Sequence, residues 1–422
     1  MIKRIVLYSL LFTSLLSVSA YAGTDDETAY ALNTLLFLVS GFLVMLMAAG
    51  FCMLESGMVT SKSVSTIAAK NIGLYSIAGI MFWVIGYNVA YGIPEGGYIG
   101  SFTPWSDASA IDTGYSDGSD WFFQMVFCAT TVSIVSGTLA ERIKIWPFFL
   151  FAAILTGIIY PIEMGWQWGG GWLSAAGFSE FAGSTLVHAA GGAAALAGAI
   201  VLGPRLGRFS NGKLVPFASS SIPLATLGTF ILWFGWFGFN GGSQLALAGF
   251  ENATAVATIY INTNLAACAG VMTCAVITRL INGKTDVIMM LNGALGGLVA
   301  ITAEPLTPTP LMAIIIGSIG GIIVILGTQA LNKFQIDDVV GAIPVHLFAG
   351  IWGTLAVPLT NSGTSFGPQL LGTASICAFV FVVSFIVWSI MKATIGIRIS
   401  EEAEKEGTDI AETGVTAYAI RD

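Results

Sequence analysis

Charge is what this sequence has least of. Of 422 residues, 9% are Asp, Glu, Lys or Arg and 55% are hydrophobic, too little polar surface to coat a soluble globule of this length. Histidine is scarcer still, with two in the whole chain. The five cysteines, Cys52, Cys128, Cys268, Cys274 and Cys377, fall in apolar stretches without CxxC or any metal-ligand spacing. They read as small packing residues and imply neither a metal centre nor a cofactor. A net charge of −8 without a long basic run excludes nucleic acid as a partner. No phosphate-cradling loop is present, and nothing marks the chain as an enzyme.

What is present is a series of long apolar stretches, near 31–55, 65–92, 119–139, 145–162, 183–203, 219–239, 254–278, 287–303, 309–330, 339–358 and 369–391. Each is close to or above the roughly 20 residues that a bilayer requires. The expectation is an all-α integral membrane protein with eleven transmembrane helices, solvated by membrane lipid. The 51 glycines suit helices that pack closely where lipid supplies no hydrophobic drive to associate. Residues 1–22 stand apart. Lys3 and Arg4 lead an apolar run from Ile5 to Val18 that ends on Ala20-Tyr21-Ala22, the pattern of a cleavable signal peptide. An uncleaved extra helix is the alternative, against which the short apolar core counts.

Cleavage after Ala22 would place the acidic start Gly23-Thr24-Asp25-Asp26-Glu27 outside, and the loops would then alternate. Lys62 and Lys70 follow the first span, Arg142 and Lys144 the third, Arg205, Arg208 and Lys213 the fifth, Arg279 and Lys284 the seventh, and Lys333 the ninth. Lys392, Arg398, Lys405 and Arg421 belong to the C-terminal tail. All of these fall inside, as the positive-inside rule requires. The opposite face carries Glu95, Asp107, Asp112, Asp117, Asp120, Glu163, Glu180, Glu251 and Glu304, a one-signed surface that concentrates cations. The expected location is a cell inner membrane, with the mature N-terminus periplasmic or extracellular and the C-terminus cytoplasmic. The domain reading is a signal peptide over 1–22, a transmembrane domain over 23–396 and a cytoplasmic tail over 397–422.

Five spans precede the Arg205–Lys213 loop and five follow it, with the last peripheral. An odd repeat unit inverts its partner, and inverted repeats place a transporter's site at their interface. His188 in the fifth span and His346 in the tenth each follow a valine and precede a glycine by four, Gly192 and Gly350. A neutral imidazole satisfied by a backbone carbonyl is the bland reading for one such residue. Equivalent positions in two repeats favour a joint task, because an imidazole donates, accepts and titrates near neutrality. Trp168, in the cluster Trp166-Gln167-Trp168-Gly169-Gly170-Gly171-Trp172, reads either as an interfacial belt residue or as a cation–π platform worth ~1 to 2 kcal/mol. Phe239 and Ser243 end the sixth span at the same mouth. Phe127 reads as core. Glu180, eight residues before His188, either caps the fifth helix or stays solvated. Asp337-Asp338 is its inverted counterpart.

At this point the residues resemble a known family, that of ammonium transporters, methylammonium permeases and Rhesus proteins. The resemblance spans essentially the whole mature chain. It is carried by Glu180-Phe181-Ala182-Gly183-Ser184-Thr185-Leu186-Val187-His188, which usually opens with aspartate, and by Trp168-Gly169-Gly170-Gly171 and Gly235-Trp236-Phe237-Gly238-Phe239-Asn240. Ala140-Glu141-Arg142-Ile143 and Val345-His346 with Trp352-Gly353-Thr354-Leu355-Ala356 add to it. Trp168 and Ser243 point to the bacterial ammonium-transporter branch.

The resemblance implies eleven helices around one pore per subunit and a homotrimer. It makes Trp168, Ser243 and Phe127 the ammonium recruitment site, Phe127 and Phe239 the gate, and His188 and His346 the pore lining and proton relay. Glu180 takes the place of an aspartate used structurally and in deprotonation. The tail resembles a segment that packs across subunits and couples to PII-type signal proteins, and the cellular role implied is nitrogen assimilation.

Moving a bare ammonium-sized ion into low dielectric costs of order 20 kcal/mol. Deprotonating an amine of pKa ~10 at neutral pH costs about 5 kcal/mol. Ammonium is therefore expected to be split, with ammonia crossing and the proton moving separately, giving electrogenic uptake. The alternatives are an electroneutral Rhesus-like ammonia channel, an ammonium sensor, and a haem oxidoreductase with two axial histidines, which the flanking residues do not support.

Overall fold

The computed structural model describes residues 25–418, and the expected signal peptide lies outside the described residues. Nine helices among these are long and apolar enough to span a membrane and two shorter apolar helices complete eleven: α1 Asp26–Met58, α2 Val64–Tyr91, α3 Asp117–Thr138, α4 Ile145–Gly165, α5 Ser184–Leu202, α6 Ile222–Gly242, α7 Phe250–Asn282, α8 Val287–Thr302, α9 Pro310–Lys333, α10 Ile343–Leu359 and α11 Phe366–Thr394. The fold is all-α, with α1–α5 and α6–α10 as inverted halves and α11 set against α5. Outward-pointing Phe42, Trp83, Phe230, Met272, Leu326 and Ile386 give it an apolar exterior.

Small residues set the packing. The first helix of each half, α1 and α6, lie along one another. A Cβ on Gly228 would sit 2.2 Å from the Leu54 backbone nitrogen, and one on Gly57 would sit 2.4 Å from that of Ala225. No larger residue permits that approach, and dispersion between close backbones is what holds helices together in lipid. The same device repeats where the halves cross at the centre. A Cβ on Gly192 of α5 would lie 2.6 Å from Leu347 N of α10, and one on Gly350 of α10 would lie 2.4 Å from Ser184 O of α5. The glycine four residues after each histidine is therefore the contact that lets α5 and α10 bring those histidines together.

Both helices open with π-helical turns, Ser184–Ala189 and Ile343–Phe348, a local widening common at functional sites. The α5–α6 connection carries a small hairpin, β1 Phe209–Ser210 and β2 Lys213–Leu214. Its turn residues Asn211 and Gly212 both have positive φ, as a two-residue hairpin turn demands.

The charged ends are less solvated than their sequence positions suggest. Lys70 lies within α2 at 1% exposure, and Glu163 lies within α4 at 0%. Neither belongs to a loop, because α2 begins at Val64 and α4 continues to Gly165, so both side chains turn into the bundle. The basic end is held by Asp337. Its carboxylate binds Arg205 through Nε at 2.8 Å and Nη2 at 2.9 Å and lies 3.3 Å from Arg208, while its carbonyl accepts from Arg142 Nη2 at 2.7 Å. Glu141 closes the cluster on Arg205 Nη1. Burial alone would raise the pKa of Asp337, but Arg205 and Arg142 hold it well below the usual carboxylate range.

Candidate functional site

A cavity of about 530 Å³ opens at the acidic end, lined among others by Tyr115, Phe127, Trp168, Glu180, Ser243 and Glu304. Trp168 is fixed by its indole N–H, which donates to the Glu180 carbonyl at 3.1 Å. Ser243 is the residue after α6, and its hydroxyl donates to Phe239 O at 2.8 Å, leaving acceptor lone pairs on its oxygen. Phe127 stands edge-on to Trp168 at 6.0 Å between centroids. The structure thus brings the three expected recruitment residues to one vestibule.

Below them the rings of Phe127 and Phe239 stack at 3.9 Å with 21° between planes, closing the cavity floor. His188 lies beneath, 5.2 Å from Phe239 and stacked on Trp236 at 4.9 Å. Trp236 is pinned by its N–H to Thr302 Oγ1 at 2.8 Å. The two imidazoles meet through their Nδ1 atoms at 3.2 Å, so one donates and the other accepts. His188 is 0% exposed and His346 2%. His188 Nε2 is buried with no hydrogen-bond partner among the protein groups, and such an atom in apolar surroundings is available to a small hydrogen-bonding guest.

Glu180 is no solvated loop acid. Its carboxylate accepts from the backbone N–H of Thr185, from Leu186 N at 2.9 Å and from the Thr354 hydroxyl of α10 at 3.0 Å, satisfying the opening turn of α5. Burial pushes its carboxyl up to about 7, although these hydrogen bonds pull the other way. Asp338, also eight residues before its histidine, repeats the arrangement. It accepts from Ile343 N at 2.7 Å and from the Thr138 hydroxyl of α3 at 3.0 Å. Each half therefore caps its histidine helix with its own acid and with a threonine hydroxyl from the other half.

Under the histidines a narrow cavity of about 10 Å³ is bordered by Phe51, Glu55, Asn292, Val340 and His346. It shares Asn292 and Val340 with a larger vestibule of about 580 Å³ at the basic end. The tail packs against that end of the same subunit. The chain enters it at Ile397, whose carbonyl accepts from Lys144 N at 2.9 Å. In α12, Glu401–Glu406, Glu404 accepts from Leu206 N at 2.7 Å and Arg398 Nη2 at 2.8 Å. Buried Asp409 caps α2 through Val64 N and Thr66 N, and Glu412 accepts from Ile145 N at 2.8 Å.

Trp236 and the buried pair Glu55 and Lys70 were given no role by sequence reasoning, and Asp338 was named there only as the inverted counterpart of Glu180. For Asp338 the signal was the shared eight-residue spacing. For Glu55 and Lys70 it was the presence of ionisable residues in apolar spans, which are functional candidates by default.

The molecule is thus a multi-pass membrane protein whose inverted halves bring two buried histidines into contact between a vestibule at each end. Residues 35–418 match the model of the Ammonium Transporter Family. The chain is 41% identical to ammonium transporter Amt2 of Archaeoglobus fulgidus, over 90% of this chain and 87% of the relative. It is 34% identical to the ammonium transporter of Bacillus subtilis, over 92% and 98% respectively. Its fold superposes on a solved Sensor Amt Protein with a TM-score of 0.87 at 33% identity, covering 92% of this chain and 100% of the other. For Mep2 of Candida albicans the TM-score is 0.82 at 25% identity, covering 94% of each chain. The chain belongs to the ammonium transporter family.

Proposed function

We propose that the protein takes up ammonium across a cell inner membrane, with the acidic face outward and the basic face and tail in the cytoplasm, as the placement of Lys and Arg favours. Ammonium is recruited between the indole of Trp168, the Ser243 oxygen and the Phe127 ring, under the field of Asp120, Glu180 and Glu304. The stacked phenyl rings below cannot solvate a cation. Desolvating the ion costs of order 20 kcal/mol, whereas releasing its proton costs about 5 kcal/mol, so ammonia passes the gate and the proton travels separately. Glu180 holds the mouth of α5 and keeps an acidic group beside the site. Its carboxylate oxygens are engaged by three donors, which favours the structural part of its role.

The observation that carries this reading is the 3.2 Å contact between His188 Nδ1 and His346 Nδ1 beneath the aromatic gate. A hydrogen-bonded imidazole pair conducts a proton by exchanging donor and acceptor roles. The subunit forms a homotrimer in this reading. Its tail, fastened to the loop ends of four helices, is the place for a PII-type signal protein to act. The test is ammonium-evoked current in proteoliposomes on a solid-supported membrane. Wild type gives current, and replacing both histidines with leucine lowers it by about a hundredfold, in line with loss of a positioned proton-transfer group. Unchanged current in the double variant removes the relay, and ammonia flux without current in wild type makes the protein a Rhesus-like channel. Binding without flux makes it a sensor.

A further inference from the structure

The proton that leaves His346 needs a next acceptor, and the passage below the histidines contains one. Glu55 is 1% exposed near the end of α1. Its Oε2 accepts from Asn71 Nδ2 at 3.2 Å and from Ser136 Oγ at 2.8 Å, while its Oε1 is buried with no partner among the protein groups. Lys70, also 1% exposed, reaches the same residue from the other side, its ammonium donating to Ser136 O at 2.8 Å. Ser136 therefore links a buried carboxyl to a buried ammonium, whose positive charge offsets part of the cost of ionising Glu55 away from water. Cys52 and Ser56 on its own helix, Arg142 beyond Lys70 and Asn292 of α8 complete the polar surroundings.

Glu55 and His346 border one cavity of about 10 Å³, close to the space of one water molecule, which needs two to four polar partners to reside there. His346, Glu55 and Asn292 supply them. We propose that Glu55 is the proton acceptor after His346, reached through a single water in this cavity. The step breaks the N–H bond at Nε2 of the imidazolium and forms an O–H bond on Glu55 through the water. Neutral imidazole, water and a carboxylic acid remain, and no electron changes hands. Lys70 then leaves the pair with a net positive charge, which drives the proton onward past Asn292 and Val340 into the basic vestibule. A lone unsatisfied oxygen on a buried acid is otherwise costly, and this task accounts for it.

The inference rests on the split-ammonium reading above, and the two fail differently. Ammonium-evoked current and ammonia influx, the latter read by a dye inside the liposomes, are measured for wild type, Glu55→Gln and the double histidine variant. The expected result for Glu55→Gln is a current lower by about a hundredfold with ammonia influx retained, so that the ratio of charge to ammonia collapses. Current and influx falling together, or current retained in Glu55→Gln but lost in the histidine variant, overturns the role of Glu55 alone. Current retained in the histidine variant overturns the parent reading and this inference with it. Should Glu55→Gln fail to fold, infrared difference spectra of wild type under ammonium perfusion decide. A protonated-carboxyl band that shifts in Glu55→Asp is expected, and the absence of any carboxyl response overturns the assignment.

Discussion

The two ends of the passage are built on one plan and differ in what surrounds it. At the acidic end Glu180 caps α5 and takes a hydroxyl from Thr354. At the basic end Asp338 caps α10 and takes one from Thr138. Beyond the cap the resemblance stops. Glu180 faces an open aromatic vestibule, whereas the residue beside Asp338 is Asp337, locked by Arg205, Arg208 and Arg142. Internal symmetry thus positions the two histidines, and the asymmetric shells leave one end an open vestibule lined by aromatic and acidic side chains and make the other a rigid seam of ion pairs onto which the tail is fastened.

This contrast breaks most severely at Arg205. Replacing it with alanine leaves the buried Asp337 and Glu141 carboxylates short of their main partner, an error that costs about 3 to 5 kcal/mol for a buried pair. A large fall in the melting temperature of the purified protein is expected. Substituting Trp168 with alanine at the opposite end removes no ion pair, so it should weaken ammonium-evoked current while leaving that temperature nearly unchanged. Equal destabilisation by the two changes would show that the ends are not differentiated as described.

Gly192→Ala and Gly350→Ala probe what the halves share. Each introduces a Cβ within 2.6 Å of the opposing helix backbone, so an overpacking cost of about 1 to 3 kcal/mol follows. The histidines are pushed apart, and current should fall by up to about a hundredfold, the effect of a misplacement near 1 Å. Thr354→Val and Thr138→Val should each cost about 1 to 2 kcal/mol by leaving a buried carboxylate oxygen short of a donor. Near-equal losses in thermal or denaturant unfolding would sharpen the symmetry, and a loss confined to one end would break it.

The smallest expected effect is the pH response, which separates the ends by sign. Glu180 has its folded pKa raised from an ordinary 4.5 to about 7, so its contribution to stability is present below 4.5 and declines as pH rises through 7. Asp337 is depressed from 3.8, so its contribution is present above that value and is lost on further acidification. A melting-temperature profile should therefore slope downward between about pH 4.5 and 7, and Glu180→Gln should remove that slope. A profile unaltered by Glu180→Gln would contradict the raised carboxyl.

Much of the frame was legible in the chain. Apolar runs gave the helices because their length is set by bilayer thickness, and the one-signed distribution of Lys and Arg gave the alternation of loops. The matching Val-His and glycine-four-later patterns in two spans pointed to a paired site. Glu163 was assigned to an outer loop and Lys70 counted on the inner face because a charge near the end of an apolar run does not reveal whether its side chain turns outward or into the bundle. Glu55 escaped notice for the same reason, being a single acid at a span's edge.

The sequence by itself determined that the chain crosses a membrane in two inverted halves, and that its only histidines sit in equivalent helices. Composition and periodicity suffice for that, since they report what each segment must hide from lipid or show to water. Only the tertiary structure decided that the two imidazoles touch, that phenyl rings 112 positions apart (Phe127 and Phe239) stack above them, and that Glu55 borders the cavity below. Those are contacts between distant helices. They depend on how closely backbones approach at Gly192 and Gly350, a distance that no local pattern encodes.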